Sequence, residues 1–188
     1  MIGDNLSIEN VTFESLANEF GTPCYVYSSE MLINEFLEYE KAFESYPKTT
    51  ICYSVKANSN LSVLNIFNSL GSGFDIVSEG ELERIKKVGA DPKKVVFSGV
   101  AKSDNEIIKA LEFGILFFNV ESFDELRAID RVSGQLGVRA RISIRVNPDI
   151  DPKTHPYIST GLKTSKFGIA IEDSFEAYVE ASRMKNIE

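Results

Sequence analysis

The chain has 188 residues, enough for one ordinary domain with a sizeable core. Its 43% hydrophobic and 26% charged residues argue against a disordered chain, and no run approaches the ~20 apolar residues of a membrane span. With 20 basic and 28 acidic residues the formal net charge is −8, which disfavours nucleic acid and anionic membrane as partners.

The start, Met1-Ile2-Gly3-Asp4-Asn5, is polar and slightly acidic, with no basic-then-apolar leader, and it predicts a cytoplasmic location. Phe13, Leu16 and Phe20 predict a short helix that Gly21-Thr22-Pro23 breaks. Cys24-Tyr25-Val26-Tyr27 is a strand candidate, and Met31 to Phe43 a helix. Apolar runs of strand length then recur at Ile51–Val55, Phe74–Val77, Val95–Phe97, Leu116–Val120 and Ala140–Val146. Helical patterns fill the gaps, carried by Leu61, Leu64 and Phe67, by Ile107, Ile108 and Leu111, and by Phe123, Leu126, Ile129 and Leu136.

The joints carry the clearest signal. Ser78 to Glu81, Ser103 to Glu106 and Ser122 to Glu125 each read S-x-x-E just after an apolar run. In that capping box the serine oxygen accepts one orphan N–H and the glutamate reaches back to another. Gly71, Gly89 and Gly114 fall where the helices should stop. Repeated strand–cap–helix–glycine units predict a parallel sheet. Gly71-Ser72-Gly73 precedes a strand and lacks the third glycine of a dinucleotide fingerprint, which favours a closed (β/α)8 barrel over an open sheet. Such a barrel takes ~250 residues, and about five barrel strands fit here. The expected fold is therefore a parallel α/β TIM barrel, truncated after those strands.

Side chains alternate along a strand, so the outward apolar set defines the inward polar one. In Arg139 to Val146 the inward set is Arg139, Arg141, Ser143 and Arg145, with structural pairing expected for Arg139 and Arg141. Lys56, Asp75, Ser98, Asn119 and Arg145 fall near the C-terminal ends of their strands, where barrel enzymes keep their chemistry. There Lys56 is either a solvated strand end or an amine that attacks a carbonyl to form a Schiff base. Asp75 and Arg145 are either site residues or members of a structural ion pair, and Ser98 and Asn119 either site or loop hydrogen-bonding groups. Cys24 and Cys52 are too few and too far apart for a zinc site or a disulfide framework, and the single histidine, His155, argues against a histidine-based metal site or triad.

Tyr53-Ser54-Val55-Lys56-Ala57-Asn58 resembles the cofactor-lysine motif of the fold-type III pyridoxal-phosphate enzymes, which include alanine racemase and the ornithine, arginine and diaminopimelate decarboxylases. Gly73 to Leu82, Val96 to Lys102, Phe118 to Ser122 and Arg145-Val146-Asn147-Pro148 resemble the family's next blocks, in order. His155-Pro156-Tyr157 through Lys166-Phe167-Gly168 resembles the diaminopimelate decarboxylases more than the other members. The resemblance begins at about Thr22 and implies an alanine racemase-like barrel at 29–188, with 1–28 giving a helix and a strand that join a β-domain.

It also implies roles. Lys56 would carry pyridoxal phosphate covalently, Asp75 and Arg145 would line the cofactor pocket, and His155 and Tyr157 would touch substrate from a mobile active-site loop. The implied activity is decarboxylation of meso-diaminopimelate to lysine, in lysine biosynthesis. A non-catalytic truncated barrel and ornithine or arginine decarboxylation are the alternatives. The implied partners are a small amino-acid substrate and either a second copy, as in a dimer, or a complementing C-terminal part. Several family blocks are not among these 188 residues. They are the ring-stacking histidine (which His155 is not), the glycine-rich phosphate loop, the glutamate that pairs with the pyridine nitrogen, the E-P-G-R-type block, and the β-domain whose cysteine segment completes a partner's site.

Overall fold

A computed structural model describes residues 5–150, 153, 161 and 166–188. His155 and Tyr157 therefore lie outside the described residues. The chain divides into two compact units, Met1–Thr49 and Thr50–Glu188.

In the first unit, β1 (Ser7–Ile8) and β2 (Val11–Thr12) pair antiparallel. α1 (Phe13–Phe20) starts where Thr12 Oγ1 accepts the Ser15 N–H at 3.2 Å, and it ends at Gly21. Both boundaries match the expected short helix. α2 (Ser29–Ala42) is capped by Ser28 Oγ. Glu9, in the β1–β2 turn, accepts from Ser28 Oγ at 2.8 Å and from the Glu30 N–H at 3.0 Å. The Glu30 N–H, with the two serine hydroxyls, holds this carboxyl below its ordinary range. The sequence signal missed β1 and β2 because two-residue strands show no period. Cys24–Tyr27 joins no ladder among the described residues, and a strand exists only through its partner.

In the second unit, β3 (Cys52–Ser54), β4 (Gly73–Ile76), β5 (Val95–Phe97), β6 (Phe117–Val120) and β7 (Ile142–Ile144) form one sheet in sequential order, with every pair parallel. Helices α3 (Leu61–Ser69), α4 (Glu79–Lys87), α5 (Asp104–Phe113) and α6 (Phe123–Leu136) alternate with the strands, as expected of a partial (β/α) barrel. Phe74, Ile76, Val95, Phe97, Phe118 and Val120 from the strands are buried, as are Leu64, Leu82, Ile85, Ile107, Leu126 and Ile129 from the helices. Asp75 and Asn119 alternate with that apolar set and fall on the inner face. Among the described residues no helix is long and apolar enough to cross a membrane.

The expected strand Ala140–Val146 is divided. The Arg145 N–H still donates to Val120 O at 2.9 Å, but the Arg145 carbonyl accepts from the Ile169 N–H at 2.8 Å. β8 (Val146–Asn147) then pairs parallel with β9 (Ile169–Ala170), so the chain leaves one ladder for another. α7 (Ser174–Arg183) follows, and its Ala177 packs with Ile144 and Ile169. Residues 186–188 extend the sheet beyond β7: the Ala140 N–H donates to Asn186 O and the Glu188 N–H to Ala140 O, each at 2.8 Å. Arg139 donates to Ile187 O at 2.6 Å and Arg141 approaches Glu188 at 3.4 Å, the structural pairing expected of both.

Gly71, Gly89 and Gly114 have positive φ at their helix ends. Of the three expected capping boxes, α5 carries the full one, Ser103 with Glu106. At α4 and α6 the serine caps as expected, but Glu81 and Glu125 take the N–H one residue earlier, at Val77 and Glu121. Ser78 and Ser122 are fully extended, at φ −162 and −158, whereas Ser103 sits at −75; the extended cap moves the preceding N–H within reach.

Gly73 allows the close approach of three strands. A Cβ there would lie 2.4 Å from Lys94 O and 2.6 Å from Cys52 Sγ, and the first of these is backbone. Gly73→Ala should cost about 3 kcal/mol, the upper end of overpacking penalties. The expected result in a urea melt is a lower midpoint with an unchanged slope.

Candidate active site

Four polar side chains line up along the C-terminal ends of adjacent strands. Asp75, inward-facing on β4, accepts from Ser54 Oγ at 3.3 Å on one oxygen and from Ser98 Oγ at 2.5 Å on the other. Ser98 spends its proton on Asp75 and accepts in turn from Asn119 Nδ2 at 2.9 Å. The row exists because parallel registry sets Ser54 opposite Asp75, while Ser98, just past β5, and Asn119, on β6, follow. Three of the strand-end residues expected from the sequence, Asp75, Ser98 and Asn119, are thus joined by hydrogen bonds.

Lys56 stands in the turn Val55–Ala57 that follows β3, with an exposed side chain. Among the described residues its amine makes no hydrogen bond or ion pair. Its charge is felt by Glu81, whose carboxyl burial pushes above the ordinary range. The Val77 N–H opposes that shift, the Asp75 carboxylate reinforces it and Lys56 opposes it again. Lys56, Asp75 and Glu81 therefore form one electrostatic group. The sequence presents Glu81 only as a capping residue; its position on the inner side of the cap is a tertiary fact.

Arg145 lies outside the hydrogen-bonded row. Its Nη1 donates to Glu121 at 2.9 Å, its guanidinium stacks 4.8 Å from the centre of the Phe167 ring, and its side chain is 39% exposed. It is the ion-pair member that one of the two expectations named, and its side chain stays partly exposed. Glu121 stands inside the block Phe118 to Ser122, but no local spacing marks it as the partner of Arg145.

Beneath these groups lies a second pair absent from the sequence-level site. Lys102 Nζ donates to Glu125 at 2.6 Å and to the carbonyls of Gly99 and Asn119 at 2.8 Å each. Their side chains are 1% and 6% exposed. Burial raises the Glu125 carboxyl above its ordinary range, and Lys102 opposes the shift. The pair ties the turn after β5 to the end of β6, and so fixes the backbone that carries Asn119.

These residues suit an aldehyde cofactor with an anionic group. Attachment needs an uncommitted primary amine, which Lys56 supplies, and a polar wall, which the Asp75 row supplies. An anion needs a cation that is not fully neutralised, and Arg145, paired at one nitrogen and 39% exposed, is such a cation.

A family model described as pyridoxal-dependent decarboxylase, pyridoxal binding domain, matches residues 30–188. The diaminopimelate decarboxylase of Pseudomonas aeruginosa is 51% identical over 183 residues, which is 97% of this chain and 44% of that protein. That of Vibrio cholerae is 53% identical over 180 residues, 96% of this chain and 43% of the relative. The crystal structure of diaminopimelate decarboxylase from Helicobacter pylori complexed with L-lysine superposes with a TM-score of 0.90 at 48% identity, over 94% of this chain and 45% of that one. The chain spans less than half the length of these relatives.

Proposed function

The chain belongs to the pyridoxal-dependent decarboxylases, and from that premise we propose that it forms part of an enzyme converting meso-diaminopimelate to lysine. Identity near one half to diaminopimelate decarboxylases along almost the whole chain supports that substrate. The L-lysine held by the Helicobacter pylori relative supports an amino-acid product. The activity is assigned to the assembly that supplies the rest of the barrel and the second domain, from the same polypeptide, a complementing part or a partner subunit, in the cytoplasm. The observation that carries the proposal is Lys56, an exposed amine at the strand ends, unpaired among the described residues, whose charge is felt by Glu81.

Lys56 is the attachment point for pyridoxal phosphate. When bound, the cofactor supplies an electron sink for the α-carbon as the carboxylate leaves. Asp75, held by two hydroxyls, supplies an oriented polar group on the adjacent strand. Arg145 offers positive charge to an anionic group in a chain whose net charge is −8. His155 and Tyr157 are proposed as substrate contacts on the resemblance of their segment alone. Reducing a mixture of the chain and pyridoxal phosphate with borohydride, then mapping the product by mass spectrometry, tests the assignment. One stoichiometric adduct on Lys56 is expected. Adducts scattered over several lysines would overturn it.

A further inference from the structure

We propose that Glu121 is a positioning residue whose single carboxylate aims Arg145 and anchors the backbone at Gly168. The proposal rests on reading Lys56 and Arg145 as cofactor residues. Glu121 follows β6, and its side chain is only 1% exposed. A carboxylate so placed is costly unless its lone pairs are met. Oε1 accepts from Arg145 Nη1 at 2.9 Å and from the Gly99 N–H at 3.3 Å, and Oε2 accepts from the Gly168 N–H at 3.0 Å. These donors come from the turn after β5, the end of β7 and the approach to β9. The Glu121 backbone is fixed in turn, since its N–H donates at 3.3 Å to Glu125, which holds Lys102.

Gly168 has φ 73, and a Cβ there would lie 2.9 Å from Arg145 O, so only glycine brings this N–H to the carboxylate without strain. Phe167, one residue earlier, stacks on the Arg145 guanidinium, and its carbonyl accepts from Asn147 Nδ2 at 3.0 Å. Arg145 is therefore held at one nitrogen by charge and along its face by an aromatic ring. A free arginine samples many rotamers. Glu121 occupies one of five guanidinium donors and leaves the others for a ligand. The same carboxylate holds the Gly168 backbone, so ligand binding at Arg145 and the placement of Gly168 are coupled.

The test has two readouts, each on the parent chain, Glu121→Gln, Arg145→Lys and the double variant. The first is hydrogen exchange at the Gly99 and Gly168 amides and the Arg145 guanidinium, without cofactor. Glutamine keeps one acceptor oxygen, so one of the two glycine amides loses its partner whichever way the amide lies. Exchange there should quicken about tenfold in Glu121→Gln and stay unchanged in Arg145→Lys. The second is titration with pyridoxal phosphate, followed by the visible band of the Lys56 adduct. Each single variant should weaken binding about tenfold, and the double no more than either, because Glu121 acts through Arg145. Unchanged amide exchange, or losses that add, would overturn the proposal. If Glu121→Gln does not fold, Glu121→Asp, which withdraws the carboxylate by one methylene, is read in the same way. A parent chain without a Lys56 adduct refutes the cofactor reading instead, and the exchange data then decide the Glu121 clasp alone.

Discussion

Lys56→Ala abolishes the stoichiometric pyridoxal phosphate adduct and leaves the stability of the chain almost unchanged. The loss should be complete because Lys56 is uncommitted at the strand ends, whereas several other lysines near the sheet are committed. Lys102 is buried against Glu125, Lys93 donates to Gly114 O and Lys94 to Gly71 O. Lys86 and Lys109 are paired with Glu83 and Glu79. Among the described residues, Lys56 is the lysine that combines exposure, an uncommitted amine and the neighbouring charge of Glu81. Removing an exposed, unpaired side chain should move stability by no more than about 0.5 kcal/mol. Lys56→Arg separates charge from nucleophilicity, since a guanidinium keeps the charge and forms no imine. Borohydride trapping with peptide mapping, beside a thermal melt, reads both effects. Undiminished labelling in Lys56→Ala would sink the assignment.

Lys102→Met should be the most damaging of these substitutions to the fold, at about 3–5 kcal/mol near neutral pH. The loss does not measure the net value of the ion pair. It reflects Glu125 left as a buried carboxylate without its cation, and the Gly99 and Asn119 carbonyls left without their shared donor. The pH dependence has a definite sign. Burial already raises the Glu125 carboxyl, and Lys102 is the main opposing influence. Without Lys102 the carboxyl rises further. A group whose folded pKa exceeds its unfolded value favours the folded state when protonated. The deficit should therefore be smallest below the ordinary carboxylate range and grow as pH rises through the elevated Glu125 value. Adding Glu125→Gln should recover part of the loss at neutral pH and flatten its pH dependence. Urea melts across that range check both points, and an unchanged midpoint at neutral pH would refute them.

Local signals determined much of the architecture. Apolar runs of strand length and serines at helix starts are written in consecutive residues, so β3 to β7 and the caps of α4, α5 and α6 were legible in advance. The two-residue alternation also placed Asp75 and Asn119 on the inner face, and six ordered blocks pointed to the family. What stayed hidden depends on residues distant in sequence. Glu121 meets Gly99, Arg145 and Gly168 only because three strand ends converge, and no spacing along the chain encodes that meeting. Glu81 and Glu125 read as capping glutamates, yet the depth of the first turn decides that one faces Asp75 and the other holds Lys102. The division of Ala140–Val146 follows from the Arg145 carbonyl finding Ile169 rather than the neighbouring strand. Sequence periodicity states which face a side chain takes; which partner waits there is decided by the register and packing of segments far apart in the chain, such as Glu121 and Gly168, 47 residues apart.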